Sequence, residues 1–318
     1  MTHPPVIKLG ISRCLLGENV RYDGGHKLDG YLRDTLGKYV RWVPVCPEVE
    51  CGLSVPREAM RLVGTQEKHR LLTVKSRVDH TPRMSAWIDT VLSRLEKEGL
   101  SGFVFKARSP SSAMRDARIY AESGRSSSRG PGMFAAGFMR RLPLVPVEDE
   151  GRLNDESLRE NFVERVFTYA RWPDFMRQGA SARGLVDFHT RHKLMLMAHS
   201  PAHYRELGRL TAGAAGLGRK ELLSEYSRLM LDGMRLVATV KKNTNVLFHA
   251  AGYFKKKLSA DEKHELSEVI ANYHDGLVPF VVPVVLLRHY TRKYQEPYLS
   301  QQYYLNPHPV ELKLRNHA

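Results

Sequence analysis

Residues 43–58 read VPVCPEVECGLSVPRE and hold two of the three cysteines in the chain, Cys46 and Cys51. Two carboxylates, Glu48 and Glu50, lie between them. The stretch leaves a short hydrophobic run for a loop bounded by proline and glycine, which is how an α/β sheet presents reactive groups at the carboxyl end of a strand. We therefore predict that a functional site lies at this strand end.

The third cysteine, Cys14, stands in a similar position. It follows another hydrophobic run, VIKLGI at residues 6–11, and lies in a glycine-rich loop at residues 12–27. Because three cysteines cannot form a closed set of disulfides, metal binding or catalysis is the alternative to inert burial. Two strand ends could bring the three thiols to one point.

The first 150 residues alternate between strand and helix patterns. The hydrophobic spacing predicts strands at residues 6–11, 40–45 and 102–105 and helices at residues 28–39, 82–98 and 133–141. This alternation favours an open, Rossmann-like sheet. Residues 122–132 are rich in Ser, Gly and Arg and are predicted to form a flexible surface loop. We place the domain boundary in the polar segment at residues 148–154.

Beyond Asp155 the apolar spacing becomes helical and strand patterns are scarce. Helices are predicted at residues 157–172, 185–198, 202–217, 219–240, 243–258 and 261–275. Residues 277–288 are strongly apolar but contain two prolines, and we predict a kinked core helix that is too short to span a membrane. The expected fold class is an α/β domain at residues 1–150 followed by an all-α domain at residues 155–318.

The composition is that of a folded, soluble protein. The chain has 318 residues, of which 42% are hydrophobic. Residues 1–5 lack the basic-then-apolar pattern of a signal peptide, so we expect a cytoplasmic protein without membrane contact.

The formal net charge of +15 is spread over both halves and suggests either an acidic partner such as nucleic acid or simple solubility.

Two further loops carry candidate site residues. Residues 21–26 read RYDGGH, and glycine lets backbone N–H groups of such a loop approach a ligand closely. The alternative is an ordinary turn. Residues 106–113 read KARSPSSA and follow a predicted strand, so their basic and hydroxyl groups could reach the same sheet edge as the cysteine loops. A plain turn has the same composition.

Histidines are frequent in the second half. The pairs His189/His192 and His199/His203 have the one-turn spacing of metal ligands. They lack the glutamate of a metalloprotease motif, and scattered histidines on helices are more often structural. We therefore favour a structural role for them.

Four motifs, in this order, resemble the thiouracil desulfidase (TudS-like) family. They are ISRCLLG at residues 11–17, RYDGGH at residues 21–26, VCPE at residues 45–48 and KARSPS at residues 106–111. The helical half resembles the uncharacterised domain of YbgA-like proteins, through segments that include FHTRHK and YQEPY. For that domain the resemblance names no chemistry.

The resemblance implies a [4Fe–4S]-dependent desulfidase that hydrolyses the C–S bond of a thiolated pyrimidine such as 2-thiouracil and releases sulfide. Three cysteines would hold the cluster, with one iron left open for the substrate sulfur. Water would attack the polarised carbon without electron transfer. The resemblance puts Glu48 in the proton-handling role and Ser109 beside the substrate. The expected substrate-binding residues are Asp23, Gly24, Gly25, His26, Lys106, Arg108 and Ser111.

This chain departs from the family at one position. The family places its third ligand in the loop that reads KARSPSS here, but residue 112 is a serine. Serine is a poor cluster ligand, and we predict that Cys51 supplies the third thiolate beside Cys14 and Cys46. The alternative is that Cys51 is passive and the chain binds a damaged cluster or none.

The expected partner is a small thiolated nucleobase or nucleoside, with thiolated RNA as an alternative. Two other functions stay open. One is a nucleic-acid-binding or regulatory protein in which the cluster is a structural or redox-sensing element. The other is a zinc site made of three thiolates and a water molecule.

Overall fold

The computed structural model describes residues 7–213, 218–309, 312, 314 and 315. Contacts divide the chain into two compact units, Met1–Asn154 and Asp155–Ala318. Three parts of the predictions lie outside the described residues, namely the segment at residues 1–5, the first residue of the predicted strand 6–11 and residues 214–217 of the predicted helix 202–217.

The first unit is an α/β domain. In chain order its strands and α-helices are β1 (Lys8–Ser12), β2 (Arg41–Val45), α1 (Pro47–Glu50), β3 (Met60–Gly64), β4 (His69–Thr73), α2 (Thr81–Glu98), β5 (Gly102–Phe105), β6 (Ala117–Tyr120), β7 (Ser126–Gly130), α3 (Met133–Arg141) and β8 (Val147–Asp149). The strands β2-β1-β5-β8 form an all-parallel sheet. Parallel neighbours need long crossover connections, such as the one that carries α2. The predicted open α/β sheet is confirmed.

Aromatic rings fill the core beside the parallel sheet. Phe103 and Phe105 of β5 stack with their ring centroids 4.3 Å apart, and both rings pack against Phe134 and Phe138 of α3. Gly10 of β1 lies directly against Phe103, since an added Cβ would stand 2.1 Å from that ring. A glycine inside this buried strand therefore makes room for the neighbouring aromatic side chain.

A second, mixed sheet with the order β4-β3-β6-β7 was not predicted. The pairs β3–β4 and β6–β7 are antiparallel, and β3 pairs with β6 in parallel. The prediction of a flexible loop at residues 122–132 is wrong over β7, because pairing with β6 satisfies the backbone of a polar segment that has little strand propensity. The predicted helix at residues 28–39 is reduced to a π-helical turn at Tyr31–Thr35 and a 3₁₀ turn at Leu36–Lys38.

The second unit is all-helical over its described residues, which confirms the predicted class. Its helices are α4 (Glu156–Arg177), α5 (Ala182–His199), α6 (Pro201–Ala212), α7 (Arg219–Met234), α8 (Val240–Gly252), α9 (Ala260–His274), α10 (Val281–Lys293) and α11 (Pro297–Ser300). The predicted kinked helix at residues 277–288 starts only at Val281, so that Pro283 falls in the first turn, where its missing N–H costs no helical hydrogen bond. In the described ranges no helix combines the length and the apolar character that crossing a membrane would need.

Candidate functional site

A cavity of about 500 Å³ opens at the carboxyl edge of the parallel sheet. Cys14 follows β1, Cys46 follows β2, and residues 106–109 follow β5, and all of them line the cavity. The strands β2, β1 and β5 are parallel neighbours, so their carboxyl ends meet at one edge. The sheet thereby brings three loops that are distant in sequence to a single pocket.

Two thiols lie in the wall of the cavity. The side chains of Cys14 and Cys46 are only 8% and 6% exposed. Burial raises the pKa of the Cys14 thiol to about 11 and the pKa of the Cys46 thiol to about 12. Both thiols are therefore protonated at neutral pH unless a bound metal displaces their protons. Thiolates are the soft donors that zinc and iron–sulfur clusters take.

Glu48 provides a carboxylate beside these thiols. It lies on the short helix α1, and its side chain is 12% exposed. Its Oε1 accepts a hydrogen bond of 2.6 Å from the hydroxyl of Ser111, and its Oε2 lies 3.5 Å from Cys46 Sγ and 3.9 Å from Arg57 Nη2. A carboxylate held at both oxygens can transfer a proton at a defined place in the cavity.

The serines that follow β5 form a hydrogen-bonded chain to Glu48. Ser111 Oγ lies 3.0 Å from Ser109 Oγ and 3.3 Å from Ser112 Oγ. The backbone N–H groups of Ser111 and Ser112 donate to Ser109 Oγ. Ser109 and Ser112 line the cavity, whereas Ser111 is fully buried behind it and reaches Glu48. Gly132 backs this loop, since an added Cβ there would stand 2.4 Å from the carbonyl carbon of Ser111.

Lys106 and Arg108 give the same loop its positive charge. The Lys106 ammonium forms an ion pair with Glu150, and the Lys106 backbone N–H donates to Ser12 Oγ at 3.0 Å. Arg108 has a positive φ of 61°, and its backbone N–H donates to Asp116 at 2.8 Å. Left-handed backbone is uncommon for arginine, so the loop conformation is held by these contacts and not by its intrinsic preference.

Cys51 is not among the side chains that line the cavity. It follows α1 at the end opposite to Cys46, is half-buried, and donates its thiol proton to the Glu48 carbonyl oxygen at 3.2 Å. Within the described part of the chain, no three His, Cys, Asp or Glu side chains are grouped so that they could hold a metal ion. The structure thus brings together Cys14, Cys46 and Ser112 at the cavity, and does not bring Cys51 to it.

The predicted loop Asp23, Gly24, Gly25 and His26 lies next to the cavity without lining it. Asp23 accepts hydrogen bonds from the side chain of Arg21 and the backbone of Gly25, and the bond from Arg21 lowers the pKa of its carboxyl group. His26 Nδ1 accepts from a backbone N–H two residues later. Sequence reasoning missed the flanking residues that do line the cavity, which include Arg13, Arg21, Tyr22, Lys27 and Arg57. The motifs ISRCLLG and RYDGGH contain three of these five residues, namely Arg13, Arg21 and Tyr22.

A second cavity of about 440 Å³ shares Met60, Arg108 and Pro110 with the first. Most of its remaining wall comes from the mixed sheet and includes Arg61, Arg118, Tyr120 and Arg129. Four arginines thus face a single carboxylate, Asp116, among the lining residues. Arginine recognises phosphate and carboxylate through paired N–H donors, so this arginine cavity suits an anionic group. It was missed because the sheet that forms it was not predicted.

The histidine pair His189/His192 of the second unit is hydrogen-bonded to other groups of the protein. His189 Nδ1 lies 3.1 Å from the Tyr226 hydroxyl, and His192 Nδ1 lies 2.7 Å from the Phe188 carbonyl oxygen. Burial lowers the pKa of His189 to about 4 and that of His192 to about 3. Both rings are neutral core side chains at physiological pH, as favoured from the sequence.

Comparisons with known proteins match the two halves of the chain to two different families. Residues 9–150 match the family model described as 2-thiouracil desulfurase, and residues 193–309 match the one described as protein of unknown function DUF1722. The uncharacterized protein YbgA of Escherichia coli (strain K12) is 27% identical over 165 residues, which are 52% of this chain and 98% of that protein. The solved [4Fe-4S]-dependent thiouracil desulfidase TudS is 31% identical, with a TM-score of 0.39 over 48% of this chain and 97% of that one. The chain therefore belongs to the 2-thiouracil desulfurase family through its first unit and joins to it a YbgA-like domain of the DUF1722 type.

Proposed function

We propose that this protein is an iron–sulfur-dependent desulfidase that replaces the sulfur of a thiolated pyrimidine with oxygen from water and releases sulfide. The observation that carries the proposal is that Cys14, Cys46 and Glu48 all line one cavity in the family-matched unit. The [4Fe–4S] dependence stated for the solved desulfidase comes to this chain as part of the proposal.

The donors at the cavity fit such a cluster in their chemistry. Cys14 and Cys46 would bind it as thiolates, because iron–sulfur clusters are held mainly by cysteine. When bound, the cluster would supply an open iron that polarises the thiocarbonyl group of the substrate. The third ligand predicted from the sequence, Cys51, stays a prediction, and its competitor in the cavity is Ser112.

Glu48 takes the role of general base in this proposal. Its carboxylate removes a proton from a water molecule whose oxygen attacks the C–S carbon. The C–S bond then breaks, the carbon keeps the new C–O bond as a carbonyl, and the two protons of the water end on Glu48 and on the departing sulfide. No electron is transferred. The Ser111 hydroxyl, which donates to Glu48 Oε1, fixes the direction of the carboxylate.

The remaining cavity residues bind the pyrimidine. Ser109 lies on the cavity wall with Lys106 and can donate to a ring carbonyl oxygen. The ring of Tyr22, which is exposed at the cavity, offers a surface for base stacking. The turn at residues 23–26 supports the loop that carries Arg21 and Tyr22, and direct contact between this turn and the base stays a prediction.

The arginine cavity supports a phosphorylated substrate. It adjoins the proposed reaction site through Met60, Arg108 and Pro110, so a base in the first cavity can extend a phosphate toward the second. We therefore propose a thiolated nucleotide, free or within RNA, in preference to the free base. A cytoplasmic location, where thiols stay reduced, accords with three free cysteines and remains part of the proposal.

Anaerobic reconstitution followed by turnover tests the function. The expected result is about four irons and four sulfides per chain, a brown protein, and sulfide release from a thiolated pyrimidine nucleotide. In Glu48→Gln we expect the cluster spectrum to persist while kcat falls by about 10²- to 10⁴-fold, because the amide cannot take a proton. Glu122→Gln is the matched control, since Glu122 is exposed and pairs with Arg70 and Arg77 away from the cavity.

Each alternative has its own result. A wild-type protein without iron would contradict the desulfidase assignment, and zinc in its place would favour the zinc site. A cluster without sulfide release from any thiolated pyrimidine tested would favour the regulatory or nucleic-acid-binding function. Unchanged kcat in Glu48→Gln would remove Glu48 from the mechanism and leave the enzyme class intact.

A further inference from the structure

We propose that Ser112, through its side-chain oxygen, is the third protein ligand of the cluster in this chain, and that Cys51 is not a ligand. The inference rests on the proposed function, because the cluster is part of that proposal. It concerns how this chain completes a site that has two thiols where three ligands are needed.

The position of Ser112 carries the inference. Ser112 is 3% exposed and lines the same cavity as Cys14 and Cys46. Each of the three residues belongs to a loop that follows a different strand, and these strands β1, β2 and β5 are parallel neighbours. Ligands from three loops can surround one group from three sides.

Cys51 is held away from the cavity by the helix that separates it from Cys46. Its backbone N–H donates to the Pro47 carbonyl oxygen at 3.0 Å, and its thiol donates to the Glu48 carbonyl oxygen at 3.2 Å. These two hydrogen bonds hold Cys51 against α1, outside the cavity lining. Glu48 lies on the same helix, so a displacement of α1 that moved Cys51 would also disturb the hydrogen bond between Glu48 and Ser111.

The hydroxyl of Ser112 has a route for the proton that it must lose. Ser112 Oγ lies 3.3 Å from Ser111 Oγ, which in turn donates to Glu48 Oε1 at 2.6 Å. Ser112 would bind cluster iron as an alkoxide, so its O–H bond would break and its proton would pass by way of Ser111 and Glu48 to water, with no electron transferred. Oxygen is a harder donor than thiolate, so this third position binds cluster iron more weakly than a cysteine would.

The test compares cluster retention in four anaerobically reconstituted proteins: the wild type, Ser112→Ala, Ser112→Cys and Cys51→Ser. The readouts are iron and sulfide per chain, the visible spectrum, and the rate at which a chelator removes iron. We expect Ser112→Ala to lose iron about 10- to 100-fold faster than the wild type, Ser112→Cys to lose it more slowly, and Cys51→Ser to match the wild type. Circular dichroism establishes that each variant is folded, and retention by Ser112→Cys shows that the position tolerates change.

Two results would overturn the inference while leaving the enzyme class intact. Loss of the cluster in Cys51→Ser, with wild-type retention in Ser112→Ala, would return the ligand to Cys51. Wild-type retention in both variants would mean that Cys14 and Cys46 suffice. A wild-type protein that binds no iron would overturn the proposed function together with this inference, so the two failures are distinguishable.

Discussion

The carboxylate of Glu48 has its direction set by neighbours from two other loops. Ser111 comes from the loop after β5 and Arg57 from the segment after α1, and both approach the oxygens of a side chain that is 12% exposed. Glu48 was expected from its place in the VCPE motif, but these two contacts require the folded chain. A carboxylate whose partners are fixed in this way is oriented before any substrate arrives, as the proposed role of Glu48 requires.

At the same scale, Arg118 tests the arginine cavity. In Arg118→Ala we expect KM for a thiolated pyrimidine nucleotide to rise by roughly 5- to 30-fold with little change in kcat, because a phosphate contact of about 1–2 kcal/mol is made equally in the ground and transition states. KM for the free thiolated base stays unchanged. Steady-state kinetics at low and high salt measure KM for the nucleotide and for the free base. High salt should reduce the rise in KM for the nucleotide, because it screens the charge of the arginine.

Arg141→Ala is the matched control for that substitution. Arg141 is exposed on α3 and pairs with Glu96, and it does not line either cavity. An equal rise in KM for the free base and the nucleotide would contradict a phosphate site at Arg118. It would place this arginine's effect on the base or on the shape of the first cavity.

At the scale of elements, α3 and the serine loop fit together through Gly132. The glycine precedes α3, and a Cβ added there would stand 2.4 Å from the Ser111 carbonyl carbon and 2.6 Å from its oxygen. Real Cβ atoms do not approach backbone so closely, so the loop must move away from α3. The loop carries Ser109 and Ser112, and its displacement would alter the cavity wall.

We therefore expect Gly132→Ala to lower the free energy of unfolding by about 1–3 kcal/mol and to reduce sulfide release disproportionately. Urea unfolding and turnover measure the two effects. Gly30→Ala is the control in the same unit, since its φ of −66° suits alanine and its nearest neighbouring atom lies 4.0 Å from the added Cβ. Wild-type turnover in a stable Gly132→Ala protein would show that the loop position is not limiting.

At the scale of the whole molecule, buried histidines make the stability of the helical unit depend on pH. The helical unit contains the buried neutral rings of His189 and His192, whose folded pKa values of about 4 and about 3 lie below the unfolded value of about 6.5. Between these values the unfolded chain binds more protons than the folded one. Above about pH 6.5 these rings therefore do not reduce the free energy of unfolding. As the pH falls below that value, the free energy of unfolding decreases.

We expect these two rings to remove roughly 4 kcal/mol from the free energy of unfolding of the helical unit between pH 7 and pH 5, about 2 kcal/mol for each ring. His192→Leu removes one titrating ring and should reduce the loss over this range by about 2 kcal/mol. Thermal unfolding followed by circular dichroism over that pH range measures it. An unchanged pH slope in His192→Leu would show that other groups dominate the acid response.

The sequence by itself determined what depends on local pattern. The apolar period identified β1, β2 and β5, the helix α3 to the residue, and the helical character of the described residues after Asp155, because these elements bury their own repeating faces. It also identified Cys14, Cys46 and Glu48 as residues at strand ends.

Only the tertiary structure decided what depends on pairing between distant segments. The mixed sheet joins β3 to β6 across more than fifty residues, and its polar strand β7 has no apolar repeat that the sequence could reveal. The arginine cavity exists only once that sheet has formed. Likewise Ser112, and not the nearer Cys51, meets Cys14 and Cys46 at the cavity, because the parallel neighbours β1, β2 and β5 end at one edge while one helical turn holds Cys51 away.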